Sequence, residues 1–298
     1  MTEPKIDSTP GRAQAPAARL SVDADEIIAA ATDLARAARW DTAARMLASA
    51  QAAEPGDAAS RRLALASAAV AVHHDFRTAG PRWAPDAMAA AEAAATRNAD
   101  DASGPGSGWR LDLLRLQYDY EIALTGPDGT PSFGPEGRDP AALAALARRA
   151  GELNRAIPDV AGTGWAAFYR GLIADNLTGD RDGARHWFAR ALDAAERARD
   201  DYLAGEALRH LGDHEMEAGN LAAARASWER SAELWAGIGN VTGVLAQQVL
   251  LADLAFAEGN AAGGTAIAAE VSRWAGASGL ALYQRSADAL IERHRAPH

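Results

Sequence analysis

The strongest constraint on the fold is a pattern that recurs at a fixed spacing in the C-terminal half of the chain. The strings Thr178-Gly179-Asp180, Ala218-Gly219-Asn220 and Glu258-Gly259-Asn260 place their glycines 40 residues apart. Five residues after each glycine comes a small residue, which is Ala184, Ala224 or Gly264. A fixed period in this range is typical of stacked helical hairpins and not of a domain built around one core.

One unit shows how the pattern forms a hairpin of a first helix A and a second helix B. Gly219 stands where a helix ends and the chain needs a positive φ, and Asn220 follows as the expected N-cap of helix B. Ala224 and Ser231 are small enough to let the two helices approach closely, and Trp228 fills the space between them. On helix A, a glycine precedes the turn glycine by seven residues.

This arrangement resembles the tetratricopeptide repeat, which pairs Leu-Gly in helix A with Ala-x3-aromatic in helix B. Here Leu211-Gly212 and Ala224 to Trp228 carry the resemblance. Units spanning about 161–200, 203–238 and 241–278 follow it, and so does an N-terminal unit from about Ala24 to Pro55, with its turn at Trp40-Asp41. The period departs from the usual 34 residues, and Gly171 of the first recurring unit stands one position early.

The resemblance implies an all-α, right-handed α-α superhelix of about six helical hairpins plus a C-terminal capping helix. Residues 1–21 are rich in Pro, Ala and polar residues and are expected to form a disordered tail before one repeat domain, residues 22–298, with an irregular middle at about 98–158. The predicted helices before the recurring units cover about 23–39, 42–53, 58–76, 85–97, 109–124 and 140–156. The capping helix is expected at about 280–294.

Composition excludes several classes of function. The chain has no cysteine, which removes thiolate metal sites and a cysteine nucleophile and favours the cytoplasm. Lys5 is the single lysine, so neither a Schiff-base lysine nor a phosphate-loop lysine is expected. The net charge of −10 argues against nucleic acid, and the sequence offers neither a membrane span nor a cofactor motif. The excess of arginine and alanine suggests a bacterial source.

The resemblance also predicts which residues face the concave groove. Arg209 and Asp213 flank Gly212 at the positions that line the groove in this family, with Glu206 and Glu217 nearby. Aromatic and polar residues on two earlier helices complete the predicted binding surface, and these are Arg110, Tyr120, Tyr169 and Asn176.

Two histidine clusters were weighed for chemistry. His73 and His74 are adjacent, so on a helix they point about 100° apart and do not readily share a metal ion. His210 and His214 share a helix face but lack the H-E-x-x-H order. The sequence therefore predicts no metal ligands and no catalytic residues.

The expected function is a non-catalytic, cytoplasmic scaffold or adaptor that binds a protein or peptide segment in its concave groove. One alternative is a regulatory sensor that closes around a small molecule or a signalling peptide. A second is an enzyme built on the solenoid, with Asp213, His210 or His73 as acid or base. A deep closed pocket lined by Tyr120, Tyr169, Arg209 and Asp213 favours the sensor or enzyme, and an open channel along the array favours the scaffold. The oligomeric state stays open.

Overall fold

The computed structural model describes residues 23–53, 56–78, 82–96, 107–125, 131–156 and 159–295. The predicted tail and most of the glycine-rich linker at 98–108 lie outside these residues. The described chain is all-α and contains thirteen α-helices. Their bounds are α1 Ala24–Arg36, α2 Trp40–Ala52, α3 Asp57–Arg77, α4 Ala84–Thr96, α5 Ser107–Leu124, α6 Pro140–Arg155, α7 Val160–Leu172, α8 Arg181–Ala198, α9 Asp201–Glu217, α10 Leu221–Gly237, α11 Val241–Ala257, α12 Ala261–Ala277 and α13 Ala281–Arg293.

Consecutive helices pack against each other along the whole array, as expected for a helical repeat. The odd-numbered helices are the A helices and the even-numbered helices are the B helices. Contacts also join successive A helices, including α1 with α3, α5 with α7 and α11 with α13. No described helix has the length and apolar composition needed to span a lipid bilayer.

From α7 onward the turns follow a spacing of 20 residues, half the period found in the sequence. A residue with positive φ stands at positions 179, 199, 219, 239, 259 and 279. Five of these are glycines, and the sixth is Arg199, with φ 55°. The turns from B to A helices therefore repeat the geometry of the turns from A to B helices. The turns from B to A helices are hidden in the sequence because Arg199 interrupts the series of glycines.

Side-chain caps fix most of these turns. Asp180, Asp200, Asn240 and Asn260 each accept a hydrogen bond from the backbone amide three residues ahead. Asn220 stands at the predicted N-cap position of α10, but its side chain makes no capping hydrogen bond. Its side-chain amide instead donates to Glu215 at 2.7 Å, because that carboxylate lies within reach at the end of α9.

The early position of Gly171 has a structural cause. Residues Ile173–Thr178 continue α7 as a π-helical segment, which accommodates one extra residue. The amide of Asp180 accordingly bonds to the carbonyl of Ala174, six residues back, whereas that of Asn220 bonds to Glu215, five residues back. Gly171 still packs on a B-helix aromatic ring, Phe188, as Gly212 packs on Trp228.

The two ends of the array meet. One hydrophobic cluster contains buried residues of α1–α3, such as Leu63 and Val70, and of α11–α13, such as Leu245 and Tyr283. Arg77 at the end of α3 reaches Glu206 of α9 at 2.9 Å and Tyr283 of α13 at 3.5 Å. We call this cluster, together with the contacts of Arg77, the seam. It joins segments about 200 residues apart in the chain.

Candidate functional site

Polar and aromatic side chains from five A helices meet at the centre of the array. On α9, residues at spacings of three, four and seven project from one helix face, and they meet side chains of α3, α5, α7 and α13. We call this set the inner face. Its members are His73, Arg77, Tyr120, Trp165, Tyr169, Tyr202, Glu206, Arg209, Asp213 and Tyr283.

Of the eight residues predicted to line a groove, six come together here. Five are members of the inner face, and the sixth, Asn176, donates a hydrogen bond from its side-chain amide to the Tyr120 hydroxyl at 2.6 Å. Tyr120 in turn packs edge-on against Tyr169, with ring centroids 5.8 Å apart. The π segment presents Asn176 towards Tyr120, so the one-residue insertion shapes this part of the site.

The other two predicted residues lie away from the centre. Arg110 stands exposed near the start of α5. Glu217 is exposed at the end of α9, where it forms an ion pair with Arg181. The structure therefore separates these two from the inner-face group.

Four inner-face residues lie outside the predicted binding set, and these are Arg77, Trp165, Tyr202 and Tyr283. His73, a candidate metal ligand or acid-base group, lies beside them, with its Nε2 3.4 Å from the Tyr202 hydroxyl. Val70, His73 and Arg77 follow one another at helical spacing, and this stripe was the signal available in the sequence. No local sequence pattern indicated which helices lie opposite α3 across the centre of the array.

The electrostatics show how strongly protein surrounds the inner face. Burial, followed by the positive charge of Arg77, lowers the pKa of His73 to about 3, so the ring is neutral at physiological pH. Burial raises the pKa of Tyr202 to about 12 and that of Tyr169 well above its usual range. Both phenols therefore keep their protons at physiological pH.

Two titratable side chains on the inner face, Arg77 and Asp213, are incompletely paired. Among the described residues, Arg77 makes one short ion pair, with Glu206, and its Nε has no hydrogen-bond partner. The Asp213 carboxylate lies 3.8 Å from both Arg209 and His210, and its Oδ1 is buried without a partner among the described residues. Burial raises the pKa of Asp213, which reflects the weak compensation of its charge.

The remaining histidines of α9 support the core. His210 stacks on Phe188 with ring centroids 4.7 Å apart, and burial lowers its pKa well below the usual value. His214 lies 3.3 Å from Asp175, which also accepts a hydrogen bond from Arg181 at 2.8 Å. These contacts fix α9 against α8 and the π segment, and so they hold the inner face in position.

The His73-His74-Asp75 cluster divides between two tasks. Asp75 accepts hydrogen bonds from the backbone amides of Trp83 and Ala84 and thereby caps α4. His74 stacks on Trp83 with ring centroids 3.6 Å apart and contacts Asp75 at 2.9 Å. The described residues contain no group of three or more His, Asp or Glu arranged to hold a metal ion.

The inner face is enclosed. Residues 161–177 of α7 and the π segment, 202–216 of α9 and 241–256 of α11 include no exposed side chain, whereas the B helices α8, α10 and α12 each keep an exposed outer face. Several inner-face residues, including His73, Arg77, Tyr169 and Asp213, nevertheless retain partial solvent access. These residues are therefore neither fully buried nor exposed.

Two surface depressions lie elsewhere, on the irregular middle of the array. One, of about 470 Å³, is lined mainly by apolar residues of α5 and α6, such as Ile122 and Leu146. The other, of about 570 Å³, lies between α4 and α5 and is lined by Glu92 and Arg115 among others. An ion pair of Asp119 and Arg149 borders both depressions.

Comparison with known proteins adds no relative. The sequence matches no protein-family model, and no curated protein matches it either. The tetratricopeptide resemblance therefore stands on the residues and on the helical-repeat architecture.

Proposed function

We propose that this chain is a non-catalytic sensor that holds a small molecule or a short peptide at its inner face. The observation that supports this most strongly is the enclosed centre, in which six predicted binding residues meet and Arg77 and Asp213 keep unused hydrogen-bonding capacity. Buried polar atoms without partners cost about 1–3 kcal/mol each. A ligand that completes these contacts recovers that cost and so gains affinity.

The same proposal includes the family and the shape of the array. A right-handed superhelix of tetratricopeptide type is consistent with the small residues at the helix crossings and with the A helices inside the B helices. In such an array the A helices form the binding wall. We place its activity in the cytoplasm, as the absence of cysteine favours.

The enclosure favours a sensor over a scaffold that threads a long peptide through the centre. An extended segment needs a groove open along its length, and three successive A helices expose no side chain along the stretches given above. A scaffold role is supported at a different surface. The apolar depression between α5 and α6, beside the exposed Ile122, fits a side chain of a partner protein.

Acid-base catalysis by His73 or His210 is disfavoured by the protonation states of the two rings. A general base works best with a pKa near the operating pH, and the pKa of His73 is lowered to about 3. His210 is likewise lowered and is stacked on Phe188. Neither ring is poised to accept a proton and hold it at neutral pH.

Native mass spectrometry of the protein purified from its host tests the proposal. We expect a retained ligand of low molecular mass in the wild type and its loss in the double variant Arg209→Ala with Asp213→Ala. The matched control is Arg230→Ala with Glu233→Ala, which removes an exposed pair of the same charges, 3.0 Å apart on α10. Equal retention in both double variants contradicts binding at the inner face.

A further inference from the structure

The two incompletely paired groups of the inner face have opposite character, and this indicates what the ligand carries. Arg77 offers donors, because its Nε has no partner among the described residues and its NH1 reaches Tyr283 only at 3.5 Å. Asp213 offers an acceptor, because its Oδ1 has no hydrogen-bond partner among the described residues and its Oδ2 lies as far as 3.8 Å from Arg209 and His210. We propose that the inner face binds a zwitterion, with its carboxylate at Arg77 and its ammonium group at Asp213; this rests on the proposed function.

The spacing of the two groups sets the length of the ligand. Arg77 is anchored at Glu206, which stands seven residues before Asp213 on α9. With a rise of 1.5 Å per residue, the two ends of the site are about 10 Å apart along the helix. An extended chain covers about 3.3–3.6 Å per residue. The site therefore matches a peptide of about three residues, or another amino acid of equal length.

The wall between the two ends is suited to a large apolar or aromatic side chain. Trp165 lies 6.4 Å from Tyr169 and 5.9 Å from Tyr202, measured between ring centroids. These three rings keep partial solvent access, and both phenols stay neutral at physiological pH. Rings placed in this way contribute packing area and add hydrogen-bond donors for peptide carbonyl groups.

Charge balance favours a zwitterion over a simple anion or cation. The inner face carries Arg77 and Arg209 against Glu206 and Asp213, so the charges of the four side chains cancel when both carboxyls are ionised. A ligand with one charge leaves an unbalanced charge in an enclosed space, where burial of an isolated charge is costly. A zwitterion aligned with Arg77 and Asp213 preserves the balance.

Isothermal titration calorimetry with capped tripeptides tests the proposal. The probes are alanyl-phenylalanyl-alanine with free ends, its N-acetyl form and its C-terminal amide. We expect each cap to weaken binding at least tenfold in the wild type. Asp213→Asn should abolish the penalty of acetylation and keep that of amidation. Arg77→Gln, titrated at temperatures at which its radius of gyration equals that of the wild type, should do the reverse. The control Arg230→Ala, on the outer surface of α10, should behave as the wild type.

The remaining outcomes separate this inference from the proposed function. Equal binding of capped and free tripeptides, or tighter binding of a free hexapeptide, overturns the zwitterion of three residues. If native mass spectrometry finds another ligand that the inner-face double variant loses, the sensor stands and the zwitterion falls. If no tripeptide binds and no ligand is retained, both fall. Should Arg77→Gln fail to fold, the Asp213→Asn arm still decides the matter.

Discussion

At the scale of single residues, the helix crossings depend on glycines that face aromatic rings. A Cβ built on Gly212 would lie 2.5 Å from Cδ1 of Trp228, and one on Gly205 would lie 2.7 Å from Cδ1 of Trp235. The indoles also donate hydrogen bonds to backbone carbonyls of α9, so the rings cannot move aside without losing them. These positions therefore require glycine for space and not for backbone conformation.

We predict that Gly212→Ala lowers the free energy of unfolding by about 1–3 kcal/mol, because it overpacks the crossing of α9 and α10. Gly237→Ala is the matched control, since a Cβ at that exposed end of α10 meets no described atom within 4 Å. It should be neutral or stabilising by up to about 1 kcal/mol. Urea denaturation measures both. Equal effects of the two substitutions would show that Trp228 adapts.

Glu121 gives a prediction for pH. Burial, opposed by Arg82, raises the pKa of this carboxyl to about 7, above its ordinary value of 4.5. Between these pH values the folded protein binds more protons than the unfolded chain, so the contribution of Glu121 to stability falls as pH rises. Relative to wild type, the free energy of unfolding of Glu121→Gln should rise by on the order of 3 kcal/mol between pH 4.5 and 7. Thermal or urea unfolding at several pH values measures the difference, and a pH-independent difference would be contrary to this assignment.

Sequence patterns identified the residues of the site one helix at a time. Arg209, Asp213 and Glu206 were accessible to prediction because their spacing from Gly212 places them on one side of α9. Arg77 was not, since its partner Glu206 is 129 residues away and no local period links them. Long-range ion pairs leave no signature in a single sequence. For this reason the inner-face residues contributed by α3 and α13 could not be predicted.

At the scale of elements, helix positions were predicted well and helix ends less well. All thirteen helices were expected, because apolar spacing and caps act locally. The end of α1 came three residues early because Ala38 adopts a left-handed conformation, with φ 58°. An alanine carries no sign of such a turn, whereas the glycines at 179, 219 and 259 do.

The π segment is open to a direct test. Deletion of Ala174 should convert residues 173–178 to regular α-helix, since Gly171 would then stand seven residues before the turn glycine, as Gly212 does. Far-UV circular dichroism should keep its helical amplitude and unfolding should stay cooperative. The realigned helix should separate Asn176 from the Tyr120 hydroxyl, at a cost of about 1–3 kcal/mol if that hydroxyl stays unpaired. A loss of helical circular dichroism signal in the deletion variant would contradict the interpretation of the π segment as an accommodated one-residue insertion.

At the scale of the whole molecule, the seam determines whether the inner face is enclosed. Arg77 and Glu206 are both largely buried, so removal of one partner leaves an uncompensated charge that costs about 3–5 kcal/mol. Arg77→Met and Glu206→Met should therefore each lower the free energy of unfolding strongly, while the double variant should lower it by less than the sum of the two single effects. We expect a coupling energy of about 1–3 kcal/mol from a double-mutant cycle in urea.

Small-angle X-ray scattering complements that cycle. A single seam variant should increase the radius of gyration at temperatures where circular dichroism still reports intact helices, because the ends of the array separate before the units unfold. If the radius of gyration is unchanged and the losses of unfolding free energy in the double-mutant cycle are additive, the hydrophobic cluster alone holds the ends together. This closure was beyond sequence prediction, since it depends on the summed curvature of all units.

The seam also limits how such a chain can evolve in length. In most repeat arrays a duplicated unit is tolerated, because each repeat contacts only its neighbours. Here a second copy of residues 201–240 would enlarge the circumference and carry Tyr283 away from Arg77, however well the new helices folded. Closure therefore permits only the number of repeats that brings the two ends of the array together, whereas an open array of the same repeats would tolerate several numbers.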